Sequence, residues 1–361
     1  MIRWIRNRLK SILLLVNYLV SFCFLVSLFS YLIPPSFSVI PSFFSLAYVY
    51  LFFINVFFLL FWVVKRQRFV YISLFPLVIG AKHFMNFFAF SSGDVTADHA
   101  FSIMSFNARY FNAPFYKDEN KLQEQFNASL DLIVEKQPDI LCAQEFSGKY
   151  KRHNQIVDKR LRSLGLSHKY RAGKSSLAIF SKYPIIDKEV LSFDDSYNGA
   201  IKALVVVDRD TLAIYSVHLQ SIRLGHDEGA LLDQENIQRL NQRETRQTYL
   251  RILSKLSNAF KRREEQVRMI KDHMDRSPYP VFVCVDMNDL PTSYAYFKLK
   301  GKLEDTFHSA GLGIGSTYAG KLPFLRIDFC FYEKGYQAIW YERGKTTNSD
   351  HYPIYIRFNK L

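Results

Sequence analysis

Acidic residues are absent from the first 93 positions of this 361-residue chain. Lys and Arg are sparse there too, at Arg3, Arg6, Arg8, Lys10, Lys65, Arg66, Arg68 and Lys82. Of the chain's 47 basic residues these eight leave 39 against 33 acidic ones, so the remainder carries +6 rather than the +14 of the whole. That balance is ordinary for a soluble domain and gives nucleic acid no special claim. Cysteine is scarce, with Cys23, Cys142, Cys284 and Cys330 and no CxxC spacing, which excludes a thiolate metal cluster of the usual pattern. The last three each lie in an apolar strand-like run and read as small buried hydrophobes. Internal repeats and low-complexity segments are missing, which excludes solenoids and disordered linkers.

Long uncharged runs are what the N-terminus does have. Ser11–Ile33 and Phe43–Val64 hold no charge, and at ~1.5 Å rise per residue each reaches across a hydrocarbon core of roughly 30 Å. The first is too long for a signal-peptide core, and no small-residue cleavage site precedes the second. A third segment, 69–90, is interrupted by Lys82 and His83; Lys82 near its end can snorkel to the interface. The expected membrane region is therefore all-α, residues 1–93, with two to three spans near 11–33, 43–64 and 69–90. The basic residues lie before the first span and between the second and third, which places the N-terminus in the cytoplasm. Three spans put residue 94 onward on the extracytoplasmic face of the plasma (inner) membrane; two leave it in the cytoplasm. The flank 91–99, with Asp94 and Asp98 and no Lys or Arg, agrees with the extracytoplasmic side.

Residues 94–361 suffice for one large domain. Asn120–Lys136 carries Leu122, Phe126, Leu130, Ile133 and Val134 at helical spacing and stops before Pro138. Strand signals fall at 101–106, 139–143, 177–180, 200–207, 212–217, 281–285, 325–332, 337–340 and 352–358; 200–207 and 212–217 read as a hairpin around Asp208-Arg209-Asp210. Residues 234–275 are charged and mostly helical, their Lys and Arg reading as a solvated face. Many strands with several helices imply two packed sheets with helices outside.

Polar residues recur where the apolar strands end: Asn107 and Arg109, Gln144 and Glu145, His218 and Gln220, then Asp286, Asn288 and Asp289. Asp328 lies within a later strand, and Asp350 and His351 precede the last. Strand ends are where rigid scaffolds present reactive groups. Each alone is explained by turns or caps; six in series are not. Asn, Glu and Asp are hard oxygen ligands suited to Mg²⁺ or Mn²⁺, and two histidines offer proton transfer. Metal-assisted attack of water on a phosphoryl group uses both.

In sequence and order, SFNAR (105–109), QE (144–145), SVHLQ (216–220), DMND (286–289), RID (326–328) and SDH (349–351) resemble the endonuclease/exonuclease/phosphatase family over roughly residues 100–361. The resemblance implies a four-layer α-β-β-α sandwich. Arg109 after Asn107 is more similar to the pancreatic deoxyribonuclease-like branch. DMNDLPTSYAY with STYAG and LRID is similar to a membrane-anchored bacterial branch. By the same resemblance Asn107, Glu145 and Asp350 are metal ligands for Mg²⁺ or Mn²⁺. Asp286 and His351 form the pair that activates water, and Asp328 fixes the His351 imidazole. Asn288, His218 and Arg109 face the phosphate. Val285-Asp286-Met287-Asn288 stands where the family has GDFN, and Ser175-Ser176 where glycine is usual. The expected activity is hydrolysis of a phosphoester (lipid, nucleotide, sugar phosphate or nucleic acid) by an enzyme held in the lipid bilayer through its N-terminal spans. The alternative is a non-catalytic anchored module that binds a phosphorylated ligand or partner protein. A transporter is disfavoured, because the spans have hardly any internal polar residues.

Overall fold

A computed structural model of the chain describes residues 2–91, 93–94, 98–112, 118–146, 151–173, 175–193, 198–222, 242–320, 322–345 and 349–361. Two six-stranded sheets form its centre. The first has the order β13 (Tyr336–Arg343), β14 (Ile354–Lys360), β2 (Phe101–Asn107), β3 (Ile140–Gln144), β5 (Leu177–Ser181), β4 (His168–Ala172). The second runs β10 (Glu304–Asp305), β12 (Asp328–Tyr332), β9 (Val281–Asp286), β8 (Asp210–His218), β7 (Gly199–Val207), β6 (Ile185–Ser192).

Strand parity builds the layers. Successive side chains point to opposite faces. In β2, Phe101 and Ile103 enter the core between the sheets while Met104 and Phe106 face outward. Likewise Phe282 and Cys284 of β9 point between the sheets, and Val281, Val283 and Val285 point away. The outward face of the first sheet is covered by α5 (Glu119–Lys136) and α6 (Lys151–Ser163), through Phe126, Leu130, Ile133, Val157 and Leu161. The second is covered by α7 (Gln242–Met274) and α8 (Tyr294–Lys300), through Val267, Ile270, Ala295 and Leu299. The result is a four-layer α-β-β-α sandwich. A short α9 (Thr306–Ala310) packs at its edge. Asp118 caps α5 by accepting from the Asn120 amide at 2.9 Å, and Gln137 ends it in the left-handed region.

The N-terminal region is helical but departs from the expected bounds. α1 is Ile2–Leu28, so the helix begins within the basic flank. The second segment breaks at Ala47 into α2 (Ile40–Leu46) and α3 (Tyr48–Val64), bent by 68°. The third helix, α4, covers only Val70–Phe84, because Phe88–Phe90 leaves the helix and forms β1. β1 pairs antiparallel with β11 (Leu312–Ile314) of the sandwich. Among the described residues one helix, Trp4–Leu32 with its terminal turn, is by itself long and apolar enough to cross a membrane, and α2 with α3 passes the same test only as a bent pair. Of the helical segment expected at 234–275, residues 234–241 lie outside the described residues. The strand read at 325–332 starts only at Asp328.

Candidate active site

The same parity that fills the inter-sheet core delivers the polar cluster. Asn107 continues the inward row of Ile103 and Ser105, and Gln144 that of Ile140 and Cys142. His218 continues the row of Ile214 and Ser216, Asp286 that of Phe282 and Cys284. β2 and β3 are parallel, as are β8 and β9, while β12 is antiparallel to β9. Four strand C-termini and the start of β12 therefore meet at one end of the sandwich. Register places His218 and Asp328 on either side of Asp286, and Asn107 beside Gln144.

Asp286 is the hub and is fully buried. Its Oδ2 accepts from Asn107 Nδ2 at 2.7 Å and lies 3.5 Å from His218 Nε2 and 3.8 Å from His351 Nε2. Its Oδ1 accepts from the Asn288 amide at 3.1 Å. His351 turns Nδ1 to the Asp328 carboxylate at 3.0 and 3.1 Å, and the Asp328 amide donates to Thr317 Oγ1. Glu145 Oε1 stands 3.7 Å from His218 Nε2. At the half-exposed rim Arg109 Nε pairs with Asp350 Oδ2 at 3.3 Å, and Asp350 Oδ1 is 4.0 Å from His351 Nε2. These contacts link the nine residues given roles in the sequence reading into one cluster. Asn288 is the partial exception: its side-chain amide is turned onto Leu219 O at 3.2 Å.

Three of these residues hold positive φ without being glycine: Arg109 (47°), Glu145 (48°) and Asn288 (53°). Such backbone is costly and persists where the surroundings over-determine it. Ser176, at a position where the sequence pattern usually has glycine, also sits at φ 51°, and its carbonyl accepts from the Phe146 amide just after Glu145.

Charge is unevenly matched. Burial lowers the readiness of His351 to hold a proton, but the Asp328 and Asp286 carboxylates overcome it and raise its pKa to about 10. Burial pushes the Glu145 carboxyl up; His218 and His351 oppose this, and the Asp286 and Asp350 charges add to it. Asp286, Asp328 and His351 offer ligand atoms within 4.8 Å of one another, but Asp328 and His351 Nδ1 are bonded to each other, so that trio is a poor cation cage. Glu145, Asp286 and Asp350, with the Asn107 amide oxygen, bring hard oxygen donors to the same end of the sandwich, a donor chemistry that suits a divalent cation.

Several supporting residues were not singled out from sequence. Ser349 Oγ donates to Asn107 O and accepts the His351 amide, tying two motifs together. Tyr318 forms an isolated backbone bridge with His351 and sets its ring edge-on to the imidazole, centroids 6.0 Å apart. Burial raises the Tyr318 phenol, and Asp350 adds to that. Arg263 of α7, fully buried, donates Nη1 to Gln220 O (3.0 Å) and Asn288 O (2.9 Å), with Nε 3.1 Å from Asp289 Oδ2. The only sequence cue for Arg263 was its place in a helix whose charges read as solvated; nothing marked it as the one turned inward.

The loops at this end of the sandwich are those that meet the helices. Ser30 Oγ donates to Thr292 O at 3.0 Å, and Ser45 Oγ to Thr292 Oγ1 at 2.9 Å. Leu290 and Ile327 join Phe24, Leu28, Tyr48, Leu77 and Phe87 in one apolar cluster, with Tyr318 against it. Ser36, between α1 and α2, donates its amide and hydroxyl to Glu264 of α7 at 2.6 and 2.8 Å. The pocket therefore lies at the bundle end of the domain.

Carboxylates and imidazoles thus gather at the strand ends of a four-layer α-β-β-α sandwich. The model of the Endonuclease/Exonuclease/phosphatase family matches residues 104–351, and the chain belongs to that family, whose members are phosphoesterases generally dependent on a divalent metal. Residues 10–87 match a second family model, described as Domain of unknown function (DUF8431). No curated protein matches the chain. Among solved structures, the zebrafish (D. rerio) TDP2 complexed with single strand DNA product is 16% identical, covering 72% of this chain and 99% of that one, at TM-score 0.51. The human Nocturnin catalytic domain with bound sulfate is 15% identical, covering 74% and 98%, at 0.51. A Bacteroides thetaiotaomicron endonuclease/exonuclease/phosphatase family protein is 13% identical, covering 72% and 98%, at 0.50. At these identities the likeness is one of fold.

Proposed function

We propose that the chain is a membrane-tethered hydrolase of phosphoester bonds that uses Mg²⁺ or Mn²⁺, with residues 94–361 on the extracytoplasmic face and residues 1–93 as anchor. The observation that carries the catalytic part is the convergence on Asp286 Oδ2 of Asn107, His218 and His351, from three separate parts of the chain. Glu145, Asn107 and Asp350 would hold the metal, which when bound offsets the charge of the phosphate oxygens. The 3.8 Å separation of Asp286 Oδ2 and His351 Nε2 is too long for a hydrogen bond, and an oxygen atom lying to one side of the line between them can reach both. Of this pair Asp286 is the member that takes the proton of the attacking water, since His351 already holds its own, and Asp328 fixes the orientation of the His351 ring. His218 Nε2, beside Glu145, supplies a hydrogen bond or proton to the leaving oxygen. Arg109 positions the phosphate, while Asn288, its side-chain amide bonded to Leu219 O, steadies the loop through its backbone amide on Asp286.

The membrane part is supported by an inside-out bundle. Polar side chains lie within it: Asn17 donates to Ser73 (2.7 Å) and accepts from Trp62 (2.8 Å), and Ser21 donates to Asn55 (2.7 Å). Large apolar side chains lie outside, among them Leu15, Leu19, Phe22, Phe57, Leu60, Phe75 and Val78. That is the distribution expected of helices packed in lipid. Lys10 bonds Gln67 at one end, so both basic segments lie there, while the sandwich contacts the other. With positive charge retained in the cytoplasm, the catalytic domain falls outside.

The test is hydrolysis of bis(4-nitrophenyl) phosphate by the full-length protein in detergent. Activity is expected to require Mg²⁺ or Mn²⁺ and to fall by about 10² or more in Glu145→Ala and in His351→Ala. Variants as active as the wild type would show that the chemistry lies elsewhere.

A further inference from the structure

An apolar groove of about 290 Å³ opens at the seam between bundle and sandwich. Its bundle wall is Val49, Phe53, Phe84, Phe87 and Phe88; its sandwich wall is Ile314, Ser316 and Phe324, with Arg326 at the base. For scale, an apolar cavity of ~150 Å³ takes a benzene ring. Of its polar groups, Ser316 Oγ donates to Leu325 O, and Arg326 gives Nη1 to Asn86 O and Nη2 to Asp305 while its buried Nε has no hydrogen-bond partner. Phe53, Ile314 and Phe324 are exposed at its mouth. Phe53 lies on the α3 flank that faces lipid in the reading above.

The segment that lines the groove also leads to the active site. Ser316 lines it, Thr317 Oγ1 accepts the Ile327 and Asp328 amides, and Tyr318 bridges His351. Three consecutive residues thus lead from the groove to the imidazole. Tyr318 packs on its other side against the cluster of Phe87, Leu290 and Ile327. A hydrocarbon chain entering from the bilayer finds apolar walls, and the segment that carries one of those walls runs on to the residue that bridges His351.

We infer that the substrate is an amphiphile, a membrane lipid-like phosphoester whose headgroup enters the pocket beside His351 while an acyl chain lies in the groove between α3–α4 and the 312–326 segment. This rests on the phosphoesterase reading and adds the substrate class to it.

The experiment uses full-length enzyme in detergent with two chromogenic diesters below their micellar concentrations, 4-nitrophenyl methyl phosphate and 4-nitrophenyl decyl phosphate. They differ only in the alkyl chain. Burying even two methylenes gives about a tenfold preference, so kcat/KM for the decyl ester is expected to exceed that for the methyl ester by about tenfold or more. Ile314→Trp and, on the opposite wall, Phe53→Trp fill the groove and are expected to bring the ratio close to one. The ratio cancels any general loss of active protein, and Phe53→Trp exchanges one exposed aromatic for another. A wild-type ratio near one, or a ratio that survives both substitutions, overturns the inference. Failure of the phosphoesterase reading looks different: neither ester is cleaved, or Glu145→Ala cleaves both as the wild type does.

Discussion

Replacing Arg263 by Met removes a cation that the fold has enclosed on every side. The side chain is 1% exposed, its partner Asp289 is 4% exposed, and the two approach to 3.1 Å. At an effective dielectric of about 20 their attraction is about 5 kcal/mol. Breaking such a pair by deleting one member costs about 3–5 kcal/mol, since the other charge stays buried and unmatched. Against a total stability of order 5–15 kcal/mol this is a large fraction. Asp289 has one escape, protonation. Burial already pushes its carboxyl up, and Arg263 is the strongest influence holding it down. Without Arg263 the folded-state value rises further above the ordinary ~3.9. The folded variant then binds more protons than the unfolded one, so its stability falls as pH rises from that ordinary value up to the raised one. The deficit relative to wild type is therefore expected to be smaller at pH 5 than at pH 8.

Thermal unfolding of the full chain in detergent, followed by circular dichroism at both pH values, measures this. The double variant Arg263→Met/Asp289→Leu leaves no orphan charge and is expected to regain most of the lost stability. It should not regain full activity, because the Gln220 and Asn288 carbonyls still lack the Nη1 donor that fixes the loops beside His218 and Asp286. A single variant within 1 kcal/mol of wild type, or a double variant no better than the single, would refute the reasoning.

Asp328→Asn keeps the shape beside His351 but removes the charge on Nδ1; kcat is expected to fall by about 10²–10⁴ with KM little changed, read from steady-state kinetics. Chelation by EDTA should abolish hydrolysis, and Mg²⁺ or Mn²⁺ should restore it; Glu145→Gln should raise the metal concentration for half-maximal rate about tenfold or more in titration. Asn17→Leu severs the bonds to Ser73 and Trp62 and is expected to destabilise the bundle by about 0.6–2 kcal/mol in detergent melts.

The strands were legible wherever an apolar run was bounded by turn residues. Val281–Asp286 and Gly199–Val207 lie within a residue or two of their expected bounds, since buried strands need such runs. β4 and β6 were not legible: His168–Ala172 and Ile185–Ser192 are sheet-edge strands, half exposed and charged, so they lack the apolar signature. Site residues were visible because strand parity turns the last inward position polar without breaking the row, as in Phe282, Cys284, Asp286. Residues that act through backbone atoms left no such trace. Thr317, Ser349 and Arg263 meet main-chain amides or carbonyls distant in sequence, and those partnerships exist only after folding.

The helical region was read as a tether, yet it also completes the sandwich. β1 is the pairing partner of β11, Asn86 O takes a guanidinium hydrogen from buried Arg326, and Asn86 Nδ2 donates to Pro291 O. Leu290 and Ile327, each within four residues of a site carboxylate, are sealed by Phe24, Leu28 and Phe87. Cutting the chain near residue 94 would expose this cluster to water and strip a buried cation of an acceptor, each a destabilising change at the loops that carry Asp286 and Asp328. The candidate site is thus built on a surface that the N-terminal helices hold in place, and activity measured on an isolated sandwich would report a different object from the one the chain encodes.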